Sequence, residues 1–223
     1  MAGAVSGGGG WPPEWVPPSV PDPPTPPPRP PYPPVPVVYE AAPSSDHLFE
    51  RLLERRIVLV SGRLDQAVVT DATARLMLLD GVGDEPIELV LTCPEGELGA
   101  AMSLADTVEL VGVEVRALCA GSIGGPAVLP FAVATRRLAQ PHATFRLTEP
   151  RFEVDGRASE IADETARHAE LVADFQARVA EATGQPVMAI AADFRRGKLL
   201  TAGEARSYGL VDEIASRGRL RSL

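Results

Sequence analysis

The sequence predicts a layered α/β domain behind a proline-rich tail, and three observations lead to that expectation. Short apolar runs alternate with segments of helical periodicity, an order typical of α/β folds. The runs are continuous rather than alternating, which indicates strands covered on both faces. Ahead of them, between residues 12 and 36, proline is nearly every second residue. The 223 residues suffice for one domain and an appendage, since a domain has roughly 150 residues.

Residues 1–45 are predicted to be a disordered Gly/Pro-rich tail. Proline lacks a backbone N–H and restricts the residue before it, so neither a helix nor a sheet can propagate there. The expected state is a solvated polyproline-II ensemble. The tail is either a spacer or a ligand for an aromatic-lined groove, and Trp11 and Trp15 favour the ligand. The domain is predicted at residues 46–216, with a C-terminal tail at 217–223.

Helices and strands alternate in the first half of the predicted domain. Asp46 can cap an amphipathic helix that has Leu52 and Leu53 on its apolar side. The expected helices span residues 46–56, 65–79 and 97–110, and the expected strands span residues 57–60 and 87–91.

The second half is predicted to contain one strand and four helices, one of them long. Gly184 is a natural stop for the long helix, because glycine adopts the left-handed conformation that ends many helices. The expected strand spans residues 113–119, and the expected helices span residues 124–135, 157–183, 187–193 and 201–208.

Charge and composition exclude several functions. The net charge of −9 disfavours nucleic acid and anionic membranes, because both need a basic surface. No apolar run is long enough to span a bilayer, and the N-terminus lacks the features of a signal peptide. Cys93 and Cys119 are expected to be buried free thiols in a cytoplasmic protein. The cysteine and histidine spacing predicts neither a metal site nor a cofactor.

Several segments, in order and spacing, resemble the proteolytic subunit of the Clp protease. They are residues 52–59 (LLERRIVL), 91–96 (LTCPEG), 105–107 (ADT), 141–143 (PHA), 183–185 (TGQ) and 208–214 (YGLVDEI). The resemblance spans about residues 46–216. It implies a crotonase-like α/β subunit that forms heptameric rings, two of which stack through the long helix. It also implies docking of an AAA+ unfoldase on the axial face and ATP-dependent serine endopeptidase activity.

Two residues of the catalytic triad are missing where the resemblance places them. That family cleaves peptides with serine, histidine and aspartate, because the imidazole takes the serine proton and the carboxylate orients the imidazole. The histidine position falls on Thr148, whose hydroxyl is no base near neutral pH. The aspartate position falls on Gly197, which has no side chain.

The nucleophile position depends on the alignment. One alignment puts it at Gly125, and another keeps Ser122, which otherwise caps the helix predicted from residue 124. The glycine pair that supplies oxyanion donors in the family is here Glu95-Gly96. A carboxylate at residue 95 opposes the negative charge that develops in the transition state.

No histidine is placed to replace the missing base. His142 lies in a loop that matches the family's own loop, His47 precedes the first helix, and His168 is expected on a solvated face of the long helix. The sequence therefore predicts a non-catalytic subunit that assembles with an active Clp subunit or modulates unfoldase docking. The alternatives are an active peptidase that uses Ser122 and a homo-oligomeric scaffold whose tail is a ligand.

Overall fold

The structure is a computed structural model and describes residues 45–216. The predicted tail at residues 1–44 and the predicted C-terminal tail at 217–223 lie outside the described residues. Between residues 45 and 216, no helix has the length and apolar character that crossing a membrane requires.

A five-stranded parallel sheet forms the centre of the domain. Its strands are β1 (Ile57–Leu64), β2 (Ile87–Gly96), β3 (Val115–Cys119), β5 (Arg136–Ala139) and β8 (Glu213–Ile214). The order across the sheet is β1-β2-β3-β5-β8, and every neighbouring pair is parallel. The predicted layered α/β class is confirmed.

A second sheet of three strands stands beside the first. Its strands are β4 (Ser122–Gly124), β6 (Thr144–Leu147) and β7 (Lys198–Thr201). β6 lies in the middle, parallel to β4 and antiparallel to β7. This sheet brings residues from three distant parts of the chain together.

Seven α-helices complete the part of the chain that the structure describes. They are α1 (Ser45–Glu54), α2 (Gln66–Val82), α3 (Leu98–Leu110), α4 (Val128–Ala132), α5 (Ala158–Thr183), α6 (Val187–Arg196) and α7 (Ala202–Ser207). Asp65 caps α2 by accepting a hydrogen bond from the Val68 N–H at 2.9 Å. Gly184 ends α5 with φ +69°, as the sequence predicts.

The two faces of the large sheet differ in burial. One face, with Val58, Val60, Leu89 and Leu91, is fully buried. The other face carries an apolar row in register across the sheet, formed by Leu59, Val90, Leu118 and Leu138. Leu59 and Val90 in that row stay partly exposed. The expectation that both faces are covered is therefore wrong for the single subunit.

The helix predicted at residues 124–135 is confirmed only in part, because residues 125–132 are helical and residue 124 is not. Gly124 is the last residue of β4, with φ −146° and ψ 154°, and a short 3-10 helix at Gly125–Ala127 leads into the five-residue α4. Gly124 is extended because its backbone packs on Pro94: a Cβ atom at Gly124 would lie 2.1 Å from the Pro94 carbonyl oxygen. Ser122 accordingly lies in a strand and caps no helix.

Several strands are longer than predicted or were not predicted. β1 and β2 continue past their apolar runs and pair at Arg63 with Glu95 and at Leu64 with Gly96. The short strands β5 to β8 were missed, because each is four residues long or shorter. α6 ends later than predicted, at Gly197 in the left-handed region.

Candidate functional site

Gly125 lies at the point where β4 turns into a helix, and its backbone has φ +55°. Glycine adopts this left-handed region without the steric cost that a Cβ brings. The preceding Gly124 fits closely against Pro94, so the position of the turn is fixed by backbone packing. The turn therefore holds residue 125 at the end of a strand, buried.

Thr148 lies between Gly125 and Gly197. A Cβ atom on Gly125 would lie 3.4 Å from Oγ1 of Thr148, and a Cβ atom on Gly197 would lie 3.6 Å from Cγ2 of Thr148. Thr148 follows β6, and Gly197 links α6 to β7, so the antiparallel pairing of β6 with β7 sets this spacing. The structure thus brings Gly125, Thr148 and Gly197 together, with Thr148 in contact range of both glycine positions.

A cleft of about 580 Å³ opens beside Thr148 and Gly125. Glu95 and Gly96, at the end of β2, form part of its wall. Arg63, Pro94, Glu97, Pro126, Arg146, Glu149 and Arg151 complete the lining. The described lining contains no serine, cysteine, histidine or aspartate. Its alcohol is that of Thr148 and its carboxylates are those of glutamates, so no imidazole lies there to take a proton from a hydroxyl.

Ser122 does not join these residues. It lies in β4, in register with Thr144 of β6, is half-buried, and is absent from the lining of the cleft. Within the described part of the chain, the Ser122 hydroxyl donates no hydrogen bond to a side chain that could act as its base. Within residues 45–216, Ser122 therefore lacks the neighbouring base that would activate its hydroxyl as a nucleophile.

The histidines are also away from the cleft lining. His142 is exposed in the turn before β6. His168 is half-buried and stacks on Phe152, with ring centroids 4.1 Å apart, so its predicted place on a solvated face is wrong. His47 belongs to α1, and its side chain is outside the described set.

Charged side chains dominate the cleft. Arg63 pairs with Glu97 at 3.2 Å, and Arg195, outside the lining, pairs with Glu149 at 3.7 Å. The remaining charged groups of the lining are the Glu95 carboxylate and the guanidinium groups of Arg146 and Arg151. These three are exposed and have no ion pair with any residue that the structure describes.

One carboxylate near Gly197 was not singled out from the sequence. Asp193 lies on α6, and its Oδ2 accepts hydrogen bonds from Lys198 Nζ and Tyr208 Oη, both at 2.8 Å. Burial alone would raise the pKa of Asp193, but these two hydrogen bonds bring that pKa below its usual value. The Asp193 carboxylate thus connects α6 to β7 and to the end of α7 through hydrogen bonds. The i, i+5 spacing of Asp193 and Lys198 gives no recognisable motif.

Neither cysteine is in a state that favours a nucleophile at neutral pH. Cys93 and Cys119 are free and fully buried, as predicted. Burial raises the pKa of each thiol to about 11, so the reactive thiolate is scarce at neutral pH. Among residues 45–216 no three histidine, cysteine or acidic side chains cluster closely enough to hold a metal ion.

Comparison with known proteins points to one family. Residues 40–218 match the family described as Clp protease. The chain is 32% identical over 178 residues to ATP-dependent Clp protease proteolytic subunit 2 of Rhodococcus jostii, covering 78% of this chain and 90% of that protein. It is 30% identical over 173 residues to subunit 1 of Bacillus cereus, covering 76% and 90%. It is also 30% identical over 179 residues to subunit 1 of Mycobacterium bovis, covering 79% and 90%.

Proposed function

The chain belongs to the Clp protease family, and on that premise we propose that it is a non-catalytic subunit of a Clp proteolytic complex. One observation carries this proposal: Gly125, Thr148 and Gly197 stand together beside the cleft without a nucleophile, a base or an orienting carboxylate. Removing the nucleophile or the base of a serine protease lowers kcat by roughly 10⁶. Glu95 at the rim adds a negative charge that opposes an oxyanion.

Its role in the complex is to assemble with an active Clp subunit and to modulate the docking of an AAA+ unfoldase, in the cytoplasm. Two surfaces support assembly. Parallel sheets are almost always covered on both faces, yet Leu59 and Val90 are partly exposed on the large sheet. The first half of α5, residues 159–170, is exposed except for two half-buried positions. Helices in proteins owe most of their stability to packing, so a neighbouring subunit is the expected partner of that segment.

Activity tests examine the loss of catalysis directly. The purified full chain is expected to give no labelling with a fluorophosphonate probe, because only an activated serine reacts. It is also expected not to hydrolyse a short fluorogenic peptide. Labelling of the wild type that disappears in Ser122→Ala would contradict the proposal of a non-catalytic subunit and would identify Ser122 as the nucleophile.

Assembly is tested in native cells. A pull-down on the full chain, followed by native mass measurement, is expected to recover a ring that also contains a catalytic Clp subunit. A ring made only of this chain would favour a homo-oligomeric scaffold, and recovery of a monomer alone would contradict assembly altogether.

A further inference from the structure

The cleft contains charges that neither the fold nor catalysis uses. We propose that it binds a peptide through a carboxylate, which the guanidinium groups of Arg146 and Arg151 hold. This inference rests on the proposed function, because it takes the cleft as a place where a peptide is bound and left intact. The carboxylate belongs either to an acidic side chain or to the C-terminus of the peptide.

The placement of the two arginines supports this. Arg146 lies on β6 between buried Phe145 and Leu147, so its side chain faces away from the core and toward the cleft. A Cβ atom on Gly124 would lie 3.6 Å from Cβ of Arg146, which places Arg146 against the turn that carries Gly125. Arg151 enters the cleft from the segment after β6. Arg146 and Arg151 therefore lie on either side of Thr148 in the sequence, and both line the same cleft.

The lining carries three arginines and three glutamates, and two of the three groups without an ion pair to a described residue are cations. Arg63 pairs with Glu97 inside the cleft, and Arg195 pairs with Glu149 from outside the lining. Two cations and one anion are left, the anion being Glu95, although the whole chain has a net charge of −9. Coulombic repulsion from an acidic protein opposes an acidic ligand, so binding depends on these local cations.

Guanidinium chemistry selects the ligand. The planar fork of an arginine side chain donates two parallel hydrogen bonds to a carboxylate, and these charge-assisted bonds are roughly twice as strong as neutral ones. An amide of the same shape offers one acceptor and no charge. A peptide with a carboxylate is therefore expected to bind more tightly than its amide counterpart.

Four fluorescent peptides of one length test this on the purified full chain by fluorescence anisotropy. The first pair has a neutral sequence that ends in a free carboxylate or in an amide. The second pair has an amidated end and carries Glu or Gln in the middle. Tighter binding of the acid member is expected in one pair, which identifies the source of the carboxylate. Equal binding within both pairs, or no binding of any peptide, would overturn the proposal.

Variants connect the binding to these side chains. Arg146→Gln and Arg151→Gln are each expected to weaken binding of the preferred acid peptide about tenfold at low salt, and high salt is expected to weaken wild-type binding. Glu95→Gln is expected to tighten binding a few-fold, because it removes the competing anion. Arg206→Gln, at an exposed position on α7 outside the cleft, is the matched control and is expected to bind as wild type.

Each result separates this inference from the proposed function. Mass analysis of the recovered peptide reports cleavage independently of affinity. Cleaved peptide would contradict the non-catalytic assignment, even if the arginine variants bind weakly. If the peptide stays intact and binds Arg146→Gln and Arg151→Gln as tightly as wild type, the carboxylate site is contradicted. The proposed non-catalytic function is then unaffected. Melting curves of all variants show whether a lost affinity comes from a lost fold.

Discussion

At the scale of single residues, the side chain of Thr148 lies close to two glycines whose backbones have positive φ. A Cβ atom on Gly125 would lie 3.4 Å from Oγ1 of Thr148, and one on Gly197 would lie 3.6 Å from Cγ2 of the same side chain. The positive φ values of these glycines, +55° and +68°, are relaxed for glycine and cost a side-chain-bearing residue roughly 1–2 kcal/mol each.

Restoring the three side chains tests this spacing. We expect the triple variant Gly125→Ser, Thr148→His, Gly197→Asp to gain labelling by a fluorophosphonate probe, since the new imidazole would lie between the serine and the aspartate. The double variant without Thr148→His carries the same two strained positions but no base, and it is expected to stay unlabelled. Equal inertness of both variants, with both folded by circular dichroism, would show that the three positions are not spaced as a triad.

Gly124 gives a second prediction, because its backbone contacts Pro94. The Cβ of an alanine would lie 2.1 Å from the Pro94 carbonyl oxygen, so β2 or β4 must move. We expect Gly124→Ala to lower the free energy of unfolding by about 3 kcal/mol, the upper range of overpacking. The measurement is urea denaturation. Gly81→Ala, in α2 with open space around its Cβ, is the control and is expected to stabilise by about 1 kcal/mol.

At the scale of elements, the sequence predicts best where local patterns decide. Helices α2, α3 and α5 begin and end near their predicted bounds, because capping residues, apolar periodicity and Gly184 are local signals. The predicted helix start at residue 124 is wrong, because the extended conformation of Gly124 comes from a contact with Pro94, distant in sequence. The adjacency of Thr148 and Gly197 likewise depends on the pairing of β6 with β7, which only resemblance to a family could indicate.

The joint between α6, β7 and α7 provides the third prediction. We expect Tyr208→Phe to lower the free energy of unfolding at neutral pH by about 1 kcal/mol, because Asp193 loses one hydrogen bond. The lowered pKa of Asp193 means that its contribution is present above the ordinary carboxyl pKa and is lost as the pH falls. The difference between variant and wild type is therefore expected to shrink in acid.

Urea denaturation of both proteins across this pH range measures the effect. Ser207→Ala is the control, because the Ser207 hydroxyl is exposed and donates only to the Gly203 carbonyl within its own helix. That variant is expected to change little and to show no such pH dependence. A loss in Tyr208→Phe that stays constant into acid would contradict the role of the Asp193 charge.

At the scale of the whole molecule, two surfaces of the described domain stay open. Its buried core fills one side of the large sheet, while the row of Leu59 and Val90 on the other side stays partly open. A long helix also extends past the point where Phe175 and Val179 bury it in the domain. The open row leaves apolar surface in contact with water, where it contributes nothing to stability.

The last prediction concerns this open face. In the sheet Val90 lies between Leu59 and Leu118, so a charge there would oppose any subunit packed on that row. We expect Val90→Arg to leave a folded chain, because the side chain is only half-buried, and to shift native mass spectra from rings toward free subunits. Met77→Arg, at a 65% exposed position on α2, is the control and is expected to assemble as wild type. Intact rings with Val90→Arg would mean that neighbouring subunits meet elsewhere, and a ring lost equally in both variants would point to added charge rather than to this face.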